Sequence, residues 1–239
     1  MTATAPAVRP ASPGDVVALQ YSNRNRMLGV PLYILGGVVL LTVAISLAVL
    51  RAGGDLDDAD FNASVLYSVL GYTVAIGVQN VSGSFPFALA LGSTRRTFVL
   101  GNLLTSAAQA LLVAAAAVVL LGIEVVTRGW FIGAKALSPV LLGAGNPVVL
   151  GGVMLLATLT ALSVGGAFGS SYVRFGARGP LLVSLGIAVA VVVLLLLLVP
   201  QAAPITAAFR PWWLAAAGTA VIGLSTIGQY CFLRRASVR

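Results

Sequence analysis

Residues 180–199 read PLLVSLGIAVAVVVLLLLLV, a run of 20 positions without a charged side chain. A helix needs about 20 predominantly apolar residues to cross the hydrocarbon core of a bilayer. A helix on the surface of a soluble domain is apolar on one face only, whereas this run is apolar on every face. The stretch therefore predicts a membrane-spanning helix, and it decides the fold class of the chain.

Five further segments share this length and character, and no predicted span has an acidic or basic side chain in its interior. The six predicted spans are Leu28–Leu50, Ala63–Phe85, Phe98–Leu121, Pro147–Ser171, Pro180–Val199 and Trp212–Leu233. Charged residues make up 8% of the 239 residues, against about 25% in an ordinary globular domain. We predict an all-α, polytopic membrane protein with six transmembrane helices, in which residues 28–239 form the transmembrane domain.

The distribution of charge predicts the orientation, because Lys and Arg accumulate in the short cytoplasmic loops of membrane proteins. Ten of the 14 basic residues lie on one side of the predicted bundle. They are Arg9, Arg24, Arg26, Arg95, Arg96, Arg174, Arg178, Arg234, Arg235 and Arg239. We therefore expect both termini in the cytoplasm. The composition, rich in alanine, glycine and arginine, is typical of a GC-rich bacterial genome, so we expect a multi-pass protein of the bacterial cytoplasmic membrane.

The segment before the first span divides into two parts. Residues 1–11 predict a disordered tail rich in Ala, Pro and Thr. Ser12, Pro13 and Asp15 make a good helix start, with serine at the N-cap, proline at the first position and an acid at the third. We predict a helix over residues 12–27. Two interpretations stay open: the helix lies in the membrane interface, or it extends the first span into the cytoplasm.

Several function classes are excluded by missing residue types. The chain has no histidine and one cysteine, Cys231, so the commonest general base and metal ligand are absent. It has no G-x-x-x-x-G-K-[ST] loop for nucleotide phosphates and no intramembrane carboxylate for proton coupling. The basic residues stand between apolar runs and form no stripe for nucleic acid. We expect neither a catalytic centre nor a cofactor on this chain.

The polar groups within the predicted spans are mostly amides, and all lie in the cytoplasmic half or near the midplane. They are Gln79, Asn80, Asn102, Gln109 and Gln229. An amide that faces lipid is costly, so these side chains should face protein or a cavity. One interpretation is interhelical hydrogen bonding that holds the bundle together. The other is a polar vestibule that forms part of a substrate path.

Two further patterns concern packing and loops. Gly165 and Gly169 form a G-x-x-x-G pair, which allows two helices to approach closely, and we expect it to serve packing within the chain. The long loop 122–146 contains Trp130 and Phe131, which suit the outer headgroup level. We expect a short interfacial or re-entrant helix in this loop.

The connection between the second and third spans is the most distinctive part of the sequence. Pro86 should interrupt the second span, and residues 87–91 should form a short apolar helix. Gly92 suits a left-handed turn at its end, and Ser93 or Thr94 suits the N-cap of the next helix. An ordinary cytoplasmic loop would need no such apolar helix, so we expect it to press on a partner.

The segment ALGSTRRTFVLG at residues 90–101 resembles the cytoplasmic segment of ABC-2-type transporter permease subunits, which follows the pattern A-L-G-x-[ST]-R-R-x-F-x-x-G. An N-terminal interfacial helix and six spans with both ends inside also fit that family. The resemblance implies the permease subunit of an ATP-driven exporter. The large extracellular segment that some members carry between spans five and six has no counterpart in residues 200–211.

The resemblance also implies partners and site residues. Two cytosolic nucleotide-binding ATPase subunits would carry the ATP and magnesium, and a second permease copy or a paralogue would complete the membrane part. The residues implied in ATPase coupling are Phe87, Leu89, Leu91, Gly92, Arg95 and Arg96, with Arg174 and Arg178 as a second contact. Membrane lipid is the remaining partner, and a hydrophobic or amphipathic molecule is the expected cargo.

The alternative function is a polytopic accessory or assembly protein without a transport path. A lipid transferase fits poorly, because Asp15 is the only acidic residue on the predicted cytoplasmic side.

Overall fold

The computed structural model of the chain describes residues 11–56, 64–139, 142–201, 210 and 212–236, and all regular structure in these ranges is helical. The α-helices are α1 Pro13–Gln20, α2 Val30–Arg51, α3 Ser64–Ala90, α4 Arg95–Val126, α5 Pro147–Phe175, α6 Arg178–Leu198 and α7 Trp212–Arg234. A π-helical turn, Asn25–Gly29, leads into α2. The predicted tail lies outside the described residues except for Ala11.

Six of the described helices, α2 to α7, are long and apolar enough to cross a membrane. The prediction of an all-α fold with six helices that could span a membrane is confirmed for the described residues. The first span begins at Asn25, because the π-helical turn continues into α2. The largest differences from the predicted bounds are at α3, which continues to Ala90, and α4, which runs from Arg95 to Val126.

The prediction that Pro86 interrupts the second span is wrong. α3 runs through Pro86 and includes residues 87–90 as its last turn. Proline inside a helix removes one backbone hydrogen bond and disfavours the straight helix. Phe85 and Ala88, on the two sides of Pro86, are both fully buried in one cluster. Their packing keeps α3 continuous across the proline.

The turn after α3 follows the predicted chemistry. Gly92 has a φ of 83°, a left-handed conformation that costs glycine little. The Gly92 N–H donates to Leu89 O at 3.0 Å, and the Ser93 N–H donates to Ala88 O at 2.9 Å, which is a Schellman motif. Thr94 Oγ1 then accepts from the Thr97 N–H at 3.1 Å and caps α4. The predictions for Gly92 and for an N-cap at Thr94 are confirmed.

The N-terminal helix begins as predicted but is shorter. The Asp15 carboxylate accepts from the Ser12 N–H at 2.7 Å, which is one half of a capping box. α1 ends at Gln20, and residues 21–23 form a turn before the next helical residue. The interpretation that α1 extends the first span is therefore wrong. Its location in a membrane interface stays a prediction.

The closest helix pair is α3 with α5. A Cβ atom on Gly77 would lie 2.5 Å from Leu162 O, and one on Gly169 would lie 2.5 Å from Val78 O. A Cβ atom on Gly165 would meet Val74 O at a still shorter distance. The G-x-x-x-G pair thus serves packing within the chain, as predicted, because only glycine permits this approach.

The bundle has two ends, and each has its own buried cluster. The cluster at one end contains Val16, Val81, Phe85, Ala88, Phe98, Val99, Leu233 and Ala236. We call this the basic end, since α1, the α3–α4 turn and the end of α7 meet there, near Arg95 and Arg234. The cluster at the opposite end includes Leu35, Val39, Val65, Leu121, Leu137, Leu142 and Leu150.

The helix α6 stands at the edge of the bundle. It packs against α5, and most of its side chains from Leu181 to Leu198 are exposed. A helix that is apolar on all sides and has little protein cover needs a nonpolar surrounding. Lipid supplies that surrounding, which agrees with six membrane-crossing helices.

Candidate functional site

The candidate site is the turn between α3 and α4 at the basic end, together with the polar cluster beneath it. Phe87 and Leu91 are 66% and 65% exposed and lie four residues apart, on one face of the chain. Leu89 is partly buried against the cluster of the basic end. The structure thus brings Phe87 and Leu91 together as an exposed apolar pair, and it places Leu89 on the inner side.

The two arginines of the turn have different surroundings. Arg95 is half-buried, and its guanidinium donates to the carbonyl oxygens of Arg234 and Ala236, the latter at 2.9 Å. Arg95 therefore ties the start of α4 to the end of α7. Arg96 is exposed, so it is the arginine whose charge a partner can reach.

The other two distinctive residues of the segment are used inside the chain. Phe98 is fully buried and packs edge-on against Phe85, with ring centroids 5.1 Å apart. A Cβ atom on Gly101 would lie 2.6 Å from Val16 Cβ, so this glycine makes room for α1. The segment therefore both forms the turn and holds α1 against α4.

The second predicted contact lies at the turn between α5 and α6. The guanidinium of Arg174 lies over the ring of its neighbour Phe175, 4.5 Å from the centroid. Phe175 in turn packs edge-on against Phe232 of α7, with centroids 6.0 Å apart. Arg178 is exposed at the start of α6. These arginines lie at the same end as the α3–α4 turn, since Val173 beside Arg174 packs against the cluster of the basic end.

Two of the five predicted amides, Asn102 and Gln229, bond to each other in a buried network, which Asn80 joins through its backbone carbonyl. Asn102 Nδ2 donates to Gln229 Oε1 at 3.0 Å, and Gln229 Nε2 donates to Ser163 O at 3.1 Å. Gln20, at the end of α1, donates from Nε2 to Asn102 Oδ1 at 3.1 Å and to Asn80 O at 3.2 Å. The network therefore links α1, α3, α4, α5 and α7, which favours the structural interpretation of these amides.

Gln79 and Gln109 stand apart from this network. Gln79 is exposed on α3. Gln109 is buried on α4, and neither its Nε2 nor its Oε1 has a partner among the described residues. The hydroxyls of Thr158 and Ser163 on α5 are likewise buried without a partner. Gln79 and Gln109 are thus the two of the five amides for which the described part of the chain supplies no hydrogen-bond partner.

A polar centre that the sequence interpretation missed is Glu124, in the last turn of α4. Its buried carboxylate accepts from the backbone N–H groups of Ala136, Leu137 and Ser138 at 3.0, 2.9 and 3.1 Å. The Trp130 indole adds a bond at 3.1 Å and the Ser138 hydroxyl one at 2.6 Å. The sequence feature that could have indicated this site is an acidic residue shortly after a predicted span, followed by a tryptophan and a serine in the same loop.

The loop held by Glu124 does not form a right-handed interfacial helix, as the sequence had led us to expect. Arg128, Trp130 and Phe131 have φ values of 52°, 57° and 65°, and Gly129 between them has 78°. This run makes a left-handed turn, which costs roughly 1–2 kcal/mol for each residue other than glycine. The bonds to Glu124 offset this cost and fix the turn at the opposite end of the bundle.

Comparison with known proteins does not assign the chain to a family. No protein-family model matches the sequence, and neither a curated protein nor a solved structure shows significant similarity to it.

Proposed function

We propose that the chain is the transmembrane permease subunit of an ATP-driven ABC exporter. The observation that supports this most is the exposed pair Phe87 and Leu91 on the α3–α4 turn, beside the exposed cation of Arg96. Two large apolar side chains that protrude at the basic end suit a protein partner, because apolar anchors beside an arginine are typical of protein interfaces. The orientation inferred from the arginines places this turn in the cytosol.

The turn is built to transmit a displacement. The Schellman motif and the Thr94 cap hold the turn between α3 and α4 in one conformation. Arg95 joins the turn to the end of α7, and α3 packs backbone to backbone on α5 at Gly77 and Gly165. A push on Phe87 and Leu91 would therefore move several helices together, as coupling to an ATPase requires.

The remaining partners follow from this proposal. ATP and magnesium would be bound by two cytosolic ATPase subunits, and a second permease copy or a paralogue would complete the membrane part. The apolar bundle favours a hydrophobic or amphipathic cargo. Gln79 and Gln109 are the substrate-path candidates that we retain, because Asn80, Asn102 and Gln229 are occupied by hydrogen bonds within the chain.

The alternative of an accessory or assembly protein has one observation in its favour. The network from Gln20 to Ser163 fixes α1 and four spans to one another, as in a protein that has no transport cycle. The two proposals differ in whether a nucleotide-binding chain joins the complex.

The deciding experiment purifies the protein from its own membranes and identifies the bound chains by mass spectrometry. We expect a nucleotide-binding ATPase and vanadate-sensitive ATP hydrolysis with the wild type. Phe87→Ser should lower both at least tenfold. Phe131→Ser, which alters an even more exposed aromatic ring at the opposite end (87% exposed), should leave both unchanged. Recovery of the wild-type protein without any nucleotide-binding chain would favour the accessory role.

A further inference from the structure

A cleft of about 400 Å³ opens at the basic end between α1 and α3. Arg26, Asn23 and Gln79 supply polar groups to its wall, and Leu19 and Phe87 supply apolar ones. None of the residues that line it is acidic. A ligand that fits these walls carries a negative charge at one side and an apolar part at the other.

Arg26 is held in place from three directions. Its backbone N–H donates to Asn23 Oδ1 at 3.1 Å, and its carbonyl oxygen accepts from the Tyr72 hydroxyl at 3.0 Å. Its guanidinium donates from Nη2 to Asn80 Oδ1 at 3.2 Å. The backbone of Arg26 is therefore fixed at two points, and one hydrogen bond orients its guanidinium before any ligand binds, which lowers the entropic cost of binding.

The charge of Arg26 is not neutralised by the part of the chain that the structure describes. Its guanidinium donates to the neutral amide of Asn80, which carries no compensating charge. Nε is buried without a partner among the described residues. A half-buried guanidinium without a carboxylate is costly, and an arginine in this state is well suited to phosphate oxygens.

Neutral donors stand beside this cation. Asn23 uses its Oδ1 for the Arg26 N–H, so its Nδ2 is left for another acceptor. Gln79 is exposed in the wall of the cleft. One charged donor with two amide donors around it is a suitable arrangement for the several oxygens of one phosphate group.

The position along the chain favours a lipid. Arg26 lies in the first turn of the first membrane-crossing segment, Asn25–Arg51, which is the level where headgroups meet a membrane protein. Leu19 offers an apolar surface beside the headgroup. A free phosphate compound would satisfy Arg26 but would make no use of its position at the level of the lipid headgroups.

We propose that the cleft binds the phosphate headgroup of an anionic membrane phospholipid, with Arg26 as the charged contact and Gln79 and Asn23 as neutral donors. The lipid would sit against α1 and lock its end to α3. Arg26 belongs to neither the ATPase contact nor the substrate path proposed above, so its part in lipid binding can stand or fall without the exporter assignment.

The test is native mass spectrometry of the full chain in detergent, given equal amounts of dioleoyl phosphatidylglycerol and dioleoyl phosphatidylcholine. We expect the wild type to retain the anionic lipid preferentially. Arg26→Gln should reduce this preference about fivefold, the effect of one basic residue at an anionic membrane surface. Arg24→Gln is the matched control, because Arg24 is exposed at the same end and does not line the cleft; it should keep the preference.

Two further arms separate the sources of the phosphate and guard against misfolding. Glycerol 1-phosphate at the same concentration should not displace the lipid; displacement would assign the cleft to a soluble phosphate compound instead. Gln79→Leu changes an exposed side chain and should weaken the preference about twofold even if Arg26→Gln fails to fold. Equal lipid preference in Arg24→Gln and Arg26→Gln, or an unchanged preference in Gln79→Leu where Arg26→Gln does not fold, would overturn the proposal.

Discussion

The indole of Trp130 donates to Glu124 Oε2 at 3.1 Å, and the loop beyond α4 thereby folds back over the last turn of that helix. Ala136 and Leu137 donate to the same oxygen, and Ser138 donates to the other. The single carboxylate of Glu124 thus supplies the hydrogen-bond acceptors that the backbone N–H groups of this irregular segment would otherwise lack. The loop after α4 is thus held to its helix by this one acid.

Glu124→Gln is expected to loosen this loop. Glutamine has one acceptor oxygen, so its amide nitrogen would face N–H donors that lose their partner, and a bond to a charged group contributes about 1.5–3 kcal/mol. The measurement is limited trypsin digestion in detergent, since Arg128 and Lys135 lie in the loop. Cleavage there should be at least fivefold faster than in the wild type, with cleavage after Arg178 as the internal control. Equal rates at the loop sites would refute the role of Glu124.

Gly165→Ala is expected to destabilise the bundle by about 1–3 kcal/mol, the usual cost of overpacking. The added methyl group would collide with Val74 O on α3, and backbone can move only if the helices separate. Gly152→Ala on the same helix meets nothing within 4 Å and serves as the control. Thermal unfolding in detergent should show a lower midpoint for Gly165→Ala alone; equal midpoints would show that α3 and α5 do not pack so closely.

Leucine substitutions of two amides of α4, Asn102 and Gln109, should have different effects on the stability of the protein. Asn102→Leu removes the donor to Gln229 Oε1 and an acceptor of Gln20, so we expect a loss of about 1–2 kcal/mol. Gln109→Leu replaces a buried amide that has no partner, so its thermal midpoint should stay the same or rise. A fall for Gln109→Leu as large as that for Asn102→Leu would mean that Gln109 has a partner, such as bound water.

Substitutions of Arg95 and Arg96 should affect different properties. We expect Arg95→Gln to lower the stability of the fold and Arg96→Gln to weaken the coupling to the ATPase. Arg95→Gln removes the contacts with Arg234 and Ala236 and should lower the thermal midpoint. Arg96→Gln alters an exposed side chain and should leave the midpoint unchanged while it lowers the ATPase activity of the purified complex about fivefold or more. If Arg96→Gln keeps full ATPase activity, the partner does not use this arginine.

The span pattern was predictable from the sequence because it depends on length and hydropathy alone. Pro86 was misinterpreted, since a local rule about proline could not weigh the burial of Phe85 and Ala88. Glu124 was missed for the opposite reason: its partners are backbone N–H groups of a loop, which no sequence pattern locates. The amide network was foreseen only as an option, because the sequence does not show that Gln20 of α1 reaches Asn102.

The most direct test of the account is the side of the membrane on which the α3–α4 turn lies. Leu91→Cys places a thiol at an exposed position of the turn, and Val148→Cys places one at the opposite end, where Val148 is 80% exposed; the exposed native Cys231 is first replaced by serine. With a membrane-impermeant maleimide on intact cells, we expect labelling of Val148→Cys only, and labelling of Leu91→Cys after permeabilisation. Labelling of Leu91→Cys in intact cells would contradict the orientation and the proposed contact with a cytosolic ATPase.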